Sequence, residues 1–189
     1  MYKNFKEFLA ERGTYLNEAR ANKDGKYVPK NRKQLDKLVK DESIYLGDID
    51  VSNINDFERL FWYSFRKDFS GIEKWDVSHV ITMKEMFLGA KYFNEPIGNW
   101  NVSKVVRMDG MFKDCSAFNQ DISRWDVSRV VDMSQMFADC EKFNQRLAKW
   151  DVRNVRDFSG MFYGAKAFNQ DLDSWLQKNK NISFSEMFE

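Results

Sequence analysis

The sequence predicts an α/β repeat solenoid, with a short strand and a short helix in each 25-residue coil and a helical cap at the N-terminus. The period is visible first: tryptophan stands at 75, 100, 125, 150 and 175. The residues around each Trp are then restated, as FNEPIGNWNVSKVVRMDGMF (93–112), FNQDISRWDVSRVVDMSQMF (118–137) and FNQRLAKWDVRNVRDFSGMF (143–162). A fixed period of ~20–50 residues marks an array whose units bury their apolar faces against one another, because a single unit is too small to fold alone. Within each copy the apolar spacing also changes, from a short extended-looking arm to a helix-like face.

Residues 1–45 show no period and are expected to form a helical cap or extension. Phe5, Phe8 and Leu9, then Tyr15 and Leu16, suggest short amphipathic helices broken near Gly13, and Leu35, Leu38 and Val39 place one helical face on 32–40. The array occupies 46–189 in about six units. Residues 46–61 are a partial first copy, with Ile49 in the Trp column and Phe57, Leu60 and Phe61 in the columns of Met83, Met86 and Phe87. An irregular loop follows at 62–68. In each full unit the arm runs from Phe93, Phe118, Phe143 or Phe168 through Ile97, Ile122, Leu147 or Leu172 to Trp, and is read as the strand. Asp76, Asn101, Asp126 and Asp151 then supply a turn, and Ser78, Ser103 and Ser128 a helix cap. From Val80, apolar residues at i+3, i+6 and i+7 (Met83, Met86, Phe87) give about two helical turns. The last unit, WLQKNKNISFSEMF (175–188), is irregular, as the end of an array should be.

Composition narrows the function. Lys+Arg is 30 against Asp+Glu 29, so no strong pull toward nucleic acid or an anionic membrane follows. Aromatic residues make up 16%, which excludes a disordered chain. The first residues lack the apolar core of a secretory signal, and no apolar run is long enough to span a membrane, so no membrane insertion is expected. The two cysteines, Cys115 and Cys140, share a column with Ala90 and Ala165. Two buried thiols fit that small-residue slot; a disulfide between neighbouring coils also fits the spacing.

The string MFxxCxxFNQDIxxWDVSxVxxMxxMF, at 111–137, resembles the 25- to 26-residue repeat of BspA-like bacterial surface proteins, grouped with the leucine-rich-repeat superfamily. The resemblance spans residues 46–188. It implies a leucine-rich-repeat-like solenoid that binds other macromolecules, often while exposed on or anchored to the cell surface. A surface or secreted location follows from the resemblance; a cytoplasmic one follows if the N-terminus printed here is native.

The inventory for chemistry is thin. His79 is the only histidine, in a column with Lys104, Arg129 and Asn154 that reads as solvated rather than catalytic. No phosphate-binding loop, cofactor motif or metal-ligand spacing appears, so no catalytic residue, cofactor or metal is expected and the chain reads as a non-enzyme. The Asp column at 50, 76, 126 and 151 reads as turn capping, with a calcium ladder as the alternative. The Trp column reads as a packing corner, or else as an exposed ladder for glycans in a structural or lectin-like module. The Asn column (Asn94, Asn119, Asn144, Asn169) reads as an amide ladder along the stack. Partner recognition then falls to the varying arm positions: Glu95, Gln120, Asp121, Gln145, Arg146, Gln170 and Asp171. The expected role is protein binding, at a cell surface or as an intracellular scaffold.

Overall fold

The computed structural model describes Gly13, residues 24–180, Ile182 and residues 184–188. The helices expected around Phe5, Phe8, Leu9, Tyr15 and Leu16 lie outside the described residues. The chain is a stack of coils, one per repeat. Neighbouring coils meet in parallel at a single column, Asp56 to Thr82 to Arg107 to Asp132 to Asp157.

The expected α/β solenoid, with a strand and a helix per coil, does not form. Among the described residues there is no β-strand, only those isolated bridges and one more between Tyr27 and Ile49. The α-helices are α1 (Arg32–Lys40), α2 (Asp173–Lys178) and α3 (Phe184–Phe188), none of them within residues 41–172, where single 3₁₀ turns stand at Leu46–Asp48, Ile72–Lys74 and Ile97–Asn99.

The reason lies in where the backbone N–H groups go. Two columns in five successive coils have positive φ: Arg59, Glu85, Gly110, Gln135 and Gly160, then Tyr63, Gly89, Asp114, Asp139 and Gly164. A left-handed residue ends an α-helix rather than continuing it. The segment read as a helix is therefore a run of linked turns. In it, Met108, Gly110, Phe112 and Asp114 donate their N–H to the carbonyls of Asp132, Ser134, Met136 and Ala138 in the next coil, at 3.1, 2.8, 2.9 and 2.8 Å. The residues between them close turns inside the coil: Met111 donates to Met108 and Lys113 to Gly110, both at 3.1 Å. Turns of three residues bury i, i+3 and i+4 just as a helix does, so the spacing alone does not separate the two.

The arm fails to become a strand for a related reason. Its contact along the stack is made by side chains: the N–H groups of Asn119, Asn144 and Asn169 donate to the side-chain Oδ1 of Asn94, Asn119 and Asn144, at 2.9, 3.0 and 3.1 Å. A ladder of amide side chains has replaced the backbone carbonyls that a strand would use.

Stacking also builds the core. Phe87, Phe112, Phe137 and Phe162 lie face to face at 5.7 Å per step, with interplanar angles of 2°, 8° and 10°. A second column, Phe93, Phe118, Phe143 and Phe168, runs beside it at 5.7, 5.8 and 6.1 Å. The two columns touch within each coil, at 3.8 Å for Phe87 and Phe93 and 4.0 Å for Phe112 and Phe118. Met, Val and Ile columns fill the rest of this continuous buried cluster.

The ends are handled by residues outside the repeat. Helix α1 is capped by Asn31, whose side chain accepts from Gln34 N–H, and it buries Leu35, Leu38 and Val39. The buried Arg66 guanidinium donates to the carbonyls of Asp41 (3.1 Å), Ile44 (2.7 Å) and Asp68 (3.3 Å), tying the stretch after α1 to the loop at 66–68. At the other end, Gly160 and Phe162 donate to the carbonyls of Glu186 and Met187 at 2.6 and 2.8 Å, and Phe188 extends the ring column on Phe162 at 5.5 Å.

Candidate functional site

The arms of successive coils form one polar face, and the candidate partner residues all lie on it, but in two different roles. Gln120, Gln145 and Gln170 belong to the scaffold. The Gln120 amide donates to the Asn94 carbonyl at 2.9 Å, Gln145 to the carbonyl and Oδ1 of Asn119 at 3.0 and 2.9 Å, and Gln170 to Oδ1 of Asn144 at 2.8 Å. Their amide nitrogens donate into the stack, so these three glutamines serve the scaffold as well as lying on the candidate face. Glu95, half-buried, heads that column; burial pushes its carboxyl pKa up, and the nearby Glu73 and Asp68 add to the rise.

Asp121, Arg146 and Asp171 are exposed. Asp121 and Asp171 each accept a backbone N–H two residues on, from Ser123 at 2.9 Å and from Asp173 at 2.8 Å, which fixes the carboxylates in Asx turns. Ser123, through its hydroxyl and backbone N–H, holds the Asp121 carboxyl below its ordinary pKa range, so it stays ionised. Arg146 lines a shallow groove of about 440 Å³ together with Asp121, Gln145, Gln170 and Lys149. The structure thus brings Asp121, Gln145, Arg146 and Gln170 into one groove; Glu95, Gln120 and Asp171 lie outside its lining. Lys149 was missed as a site residue, although its column (Lys74, Asn99, Arg124, Lys149) varies as the arm positions do.

A second groove of about 470 Å³ is lined by Arg129, Arg153, Asn154, Val155 and Arg156 with Val106 and Val131. Arg153 is paired with Asp151 at 2.7 Å. The signal for this groove was the outward-facing position after the second Val, which reads Ile81, Val106, Val131 and Arg156.

The remaining candidates resolve into structural roles. All five tryptophans of the column are buried, at 5% exposure or less. Each indole N–H donates to a carbonyl of the preceding coil, such as Trp125 to Ile97 at 3.2 Å and Trp150 to Ile122 at 3.1 Å. Glycan stacking on this column, the lectin-like alternative, is therefore ruled out by burial. His79 is half-buried rather than solvated, its Nε2 lying 3.2 and 3.0 Å from the carbonyls of Val51 and Ile54. Asn179 does the same for Val152 and Val155 near the other end, at 3.0 and 2.7 Å. The Asp column caps turns: Asp76 and Asp126 accept from Ser78 and Ser128 N–H, both at 3.0 Å. Those serines are thereby donors into Asx turns, not helix caps. Cys115 and Cys140 are free, and their thiols donate to the carbonyls of Phe87 and Phe112 at 2.9 and 2.8 Å. Burial pushes both thiols well above their ordinary pKa, which keeps them protonated and unreactive.

Among the described residues no cluster of His, Cys, Asp and Glu could hold a metal ion, and no helix is long and apolar enough to cross a membrane. No curated protein and no solved structure matches the chain. One protein family matches it twice, over residues 33–129 and 97–189, consistent with a repeated unit. The chain belongs to that family, described as Mycoplasma protein of unknown function, DUF285.

Proposed function

We propose that the chain is a non-enzymatic repeat module that binds a protein partner through its polar arm face, in the manner implied by its resemblance to BspA-like repeats, at or outside the surface of a bacterial cell. The observation that carries this reading is the division of labour on that face. Asn and Gln side chains build a rigid ladder, and the exposed Asp121, Arg146 and Asp171 vary in identity upon it beside an open groove of about 440 Å³. Fixed backbone and varied charges are what a recognition surface needs, since rigid contacts lose little entropy on binding. A near-neutral net charge of +1 favours a protein partner over a polyanion. The engaged His79 and the buried thiols support a role without covalent or acid–base chemistry.

The test is affinity capture with the wild-type chain and an Arg146→Glu variant. The partner should be retained by wild type and lost from the variant, at equal Tm. Equal capture by both would remove this face from the account. Protease shaving of intact producing cells tests the location independently, with loss of the protein expected.

A further inference from the structure

One copy of the repeat departs from the others in its outward residues. Where the earlier copies read DVSHVI (76–81), NVSKVV (101–106) and DVSRVV (126–131), the next reads DVRNVR (151–156). Arg153 replaces the serine of Ser78, Ser103 and Ser128, and Arg156 replaces the aliphatic residue of Ile81, Val106 and Val131. The inward residues of the same stretch, Val152 and Val155, are kept and buried. The scaffold is therefore unchanged where the surface has become basic.

The backbone holds these positions in register. The N–H groups of Val106, Val131 and Arg156 donate to the carbonyls of Ile81, Val106 and Val131 at 2.8, 2.9 and 2.9 Å, one bond for each step of the stack. The Asn154 side chain donates to the Ser128 carbonyl at 2.7 Å. Arg153 and Arg156 are thereby set beside Arg129 of the preceding coil, all three exposed, around the groove of about 470 Å³. The half-buried Val106 and Val131 supply an apolar part of the lining, and no carboxylate belongs to it. Asp151 holds the Arg153 guanidinium through two bonds, at 2.9 and 2.7 Å. The guanidinium groups of Arg129 and Arg156 are in no ion pair or side-chain hydrogen bond among the described residues. In a chain whose charges sum to +1, this is a local concentration of positive charge beside apolar side chains.

We propose that this groove binds an acidic segment of a protein partner. Carboxylates of the segment pair with Arg129 and Arg156, whose planar forks match a carboxylate's two oxygens. An apolar side chain between those carboxylates lies against Val106 and Val131. The apolar lining and the near-neutral chain both favour such a segment over a nucleic-acid backbone, which is held chiefly by phosphate contacts. The groove shares no residue with the one around Arg146, so the two faces are tested separately and failure of this one leaves the arm-face reading standing.

The probe is a synthetic pentapeptide with blocked ends, two acidic residues on each side of a central leucine, titrated into the isotope-labelled chain and followed by NMR. Saturable shifts are expected at the amides of Val131 and Arg156. Arg156→Val gives the chain the residue that Val106 and Val131 already carry in this column, so Tm should hold while binding weakens about tenfold. Arg129→Gln should do the same. Arg153→Ser should cost less, because Asp151 already occupies that guanidinium. Absence of saturable shifts would overturn the proposal, as would equal binding of the peptide with amides in place of its carboxylates. So would an equal loss in Lys142→Gln, an exposed charge outside the groove. A single-stranded oligothymidylate that binds at least as tightly, with the same losses in the arginine variants, would make this a polyanion site and overturn the assignment to an acidic protein segment.

Discussion

The middle of the stack and its two ends solve the same physical problem by different means. Between residues 82 and 162 every coil answers its neighbour with copies of the same groups: alternate N–H to C=O bonds, paired Phe columns, an Asn–Gln ladder and buried indoles. At the ends, among the described residues, no full repeat supplies those groups, and unique residues replace them. Arg32 and Arg66 act as poly-donors to backbone carbonyls, His79 and Asn179 each bond two carbonyls of the adjoining coil, and α3 takes over as acceptor for Gly160 and Phe162. A repeat therefore specifies its interior cheaply in sequence terms, whereas each end needs a local solution.

The sharpest way to break the comparison is in the core. Phe112→Ala removes a ring stacked on both Phe87 and Phe137, and should destabilise the chain by about 3–5 kcal/mol. Phe188→Ala, at the half-exposed end of the same column, should cost less than about 1 kcal/mol. Equal losses in chemical denaturation would show that the middle and the end are not energetically distinct.

A smaller effect isolates the N-terminal end. Arg66→Met leaves the carbonyl of Ile44 without its donor and removes one of the donors to that of Asp41, which keeps the Ile44 N–H at 3.0 Å, at a cost of about 2–3 kcal/mol. Hydrogen exchange should quicken in α1 and around residues 41–46 before it does so in coils 108–138. Uniform quickening would mean that Arg66 supports the whole stack.

The smallest effect concerns the turns. Ser78 holds the Asp76 carboxyl below its ordinary pKa, so the ionised form is favoured in the folded state. The stability this adds is present above the unfolded value of about 3.9 and is lost as pH falls through and below it. Asp76→Asn keeps the acceptor, as the natural Asn101 does for Ser103 at 3.1 Å, but does not titrate. The Tm of the variant should fall less steeply than that of wild type below about pH 4. Parallel curves would remove Asp76 from the acid response.

These contrasts also show how far the sequence could be read. The period, the buried columns and the Asn ladder were legible because identical residues recur at 25-residue spacing. The backbone was not. The apolar spacing of Val80, Met83, Met86 and Phe87 fits a helix and a chain of turns alike; glycine marks the deciding positions at 89, 110, 160 and 164, but Glu85, Gln135 and Asp139 in the same columns hide the signal. The site was half legible. Asp121 and Arg146 stand exposed in one groove, but Gln145 and Gln170 vary too little to mark recognition, because their amides are part of the ladder that carries it.

The most direct test of the fold is to detect the hydrogen bonds themselves, by NMR couplings transmitted across them. The N–H groups of Met108, Gly110, Phe112 and Asp114 should couple to the carbonyls of Asp132, Ser134, Met136 and Ala138. Couplings within the coil from each N–H to the carbonyl four residues back, such as Phe112 to Met108, would restore the helix and contradict the ladder.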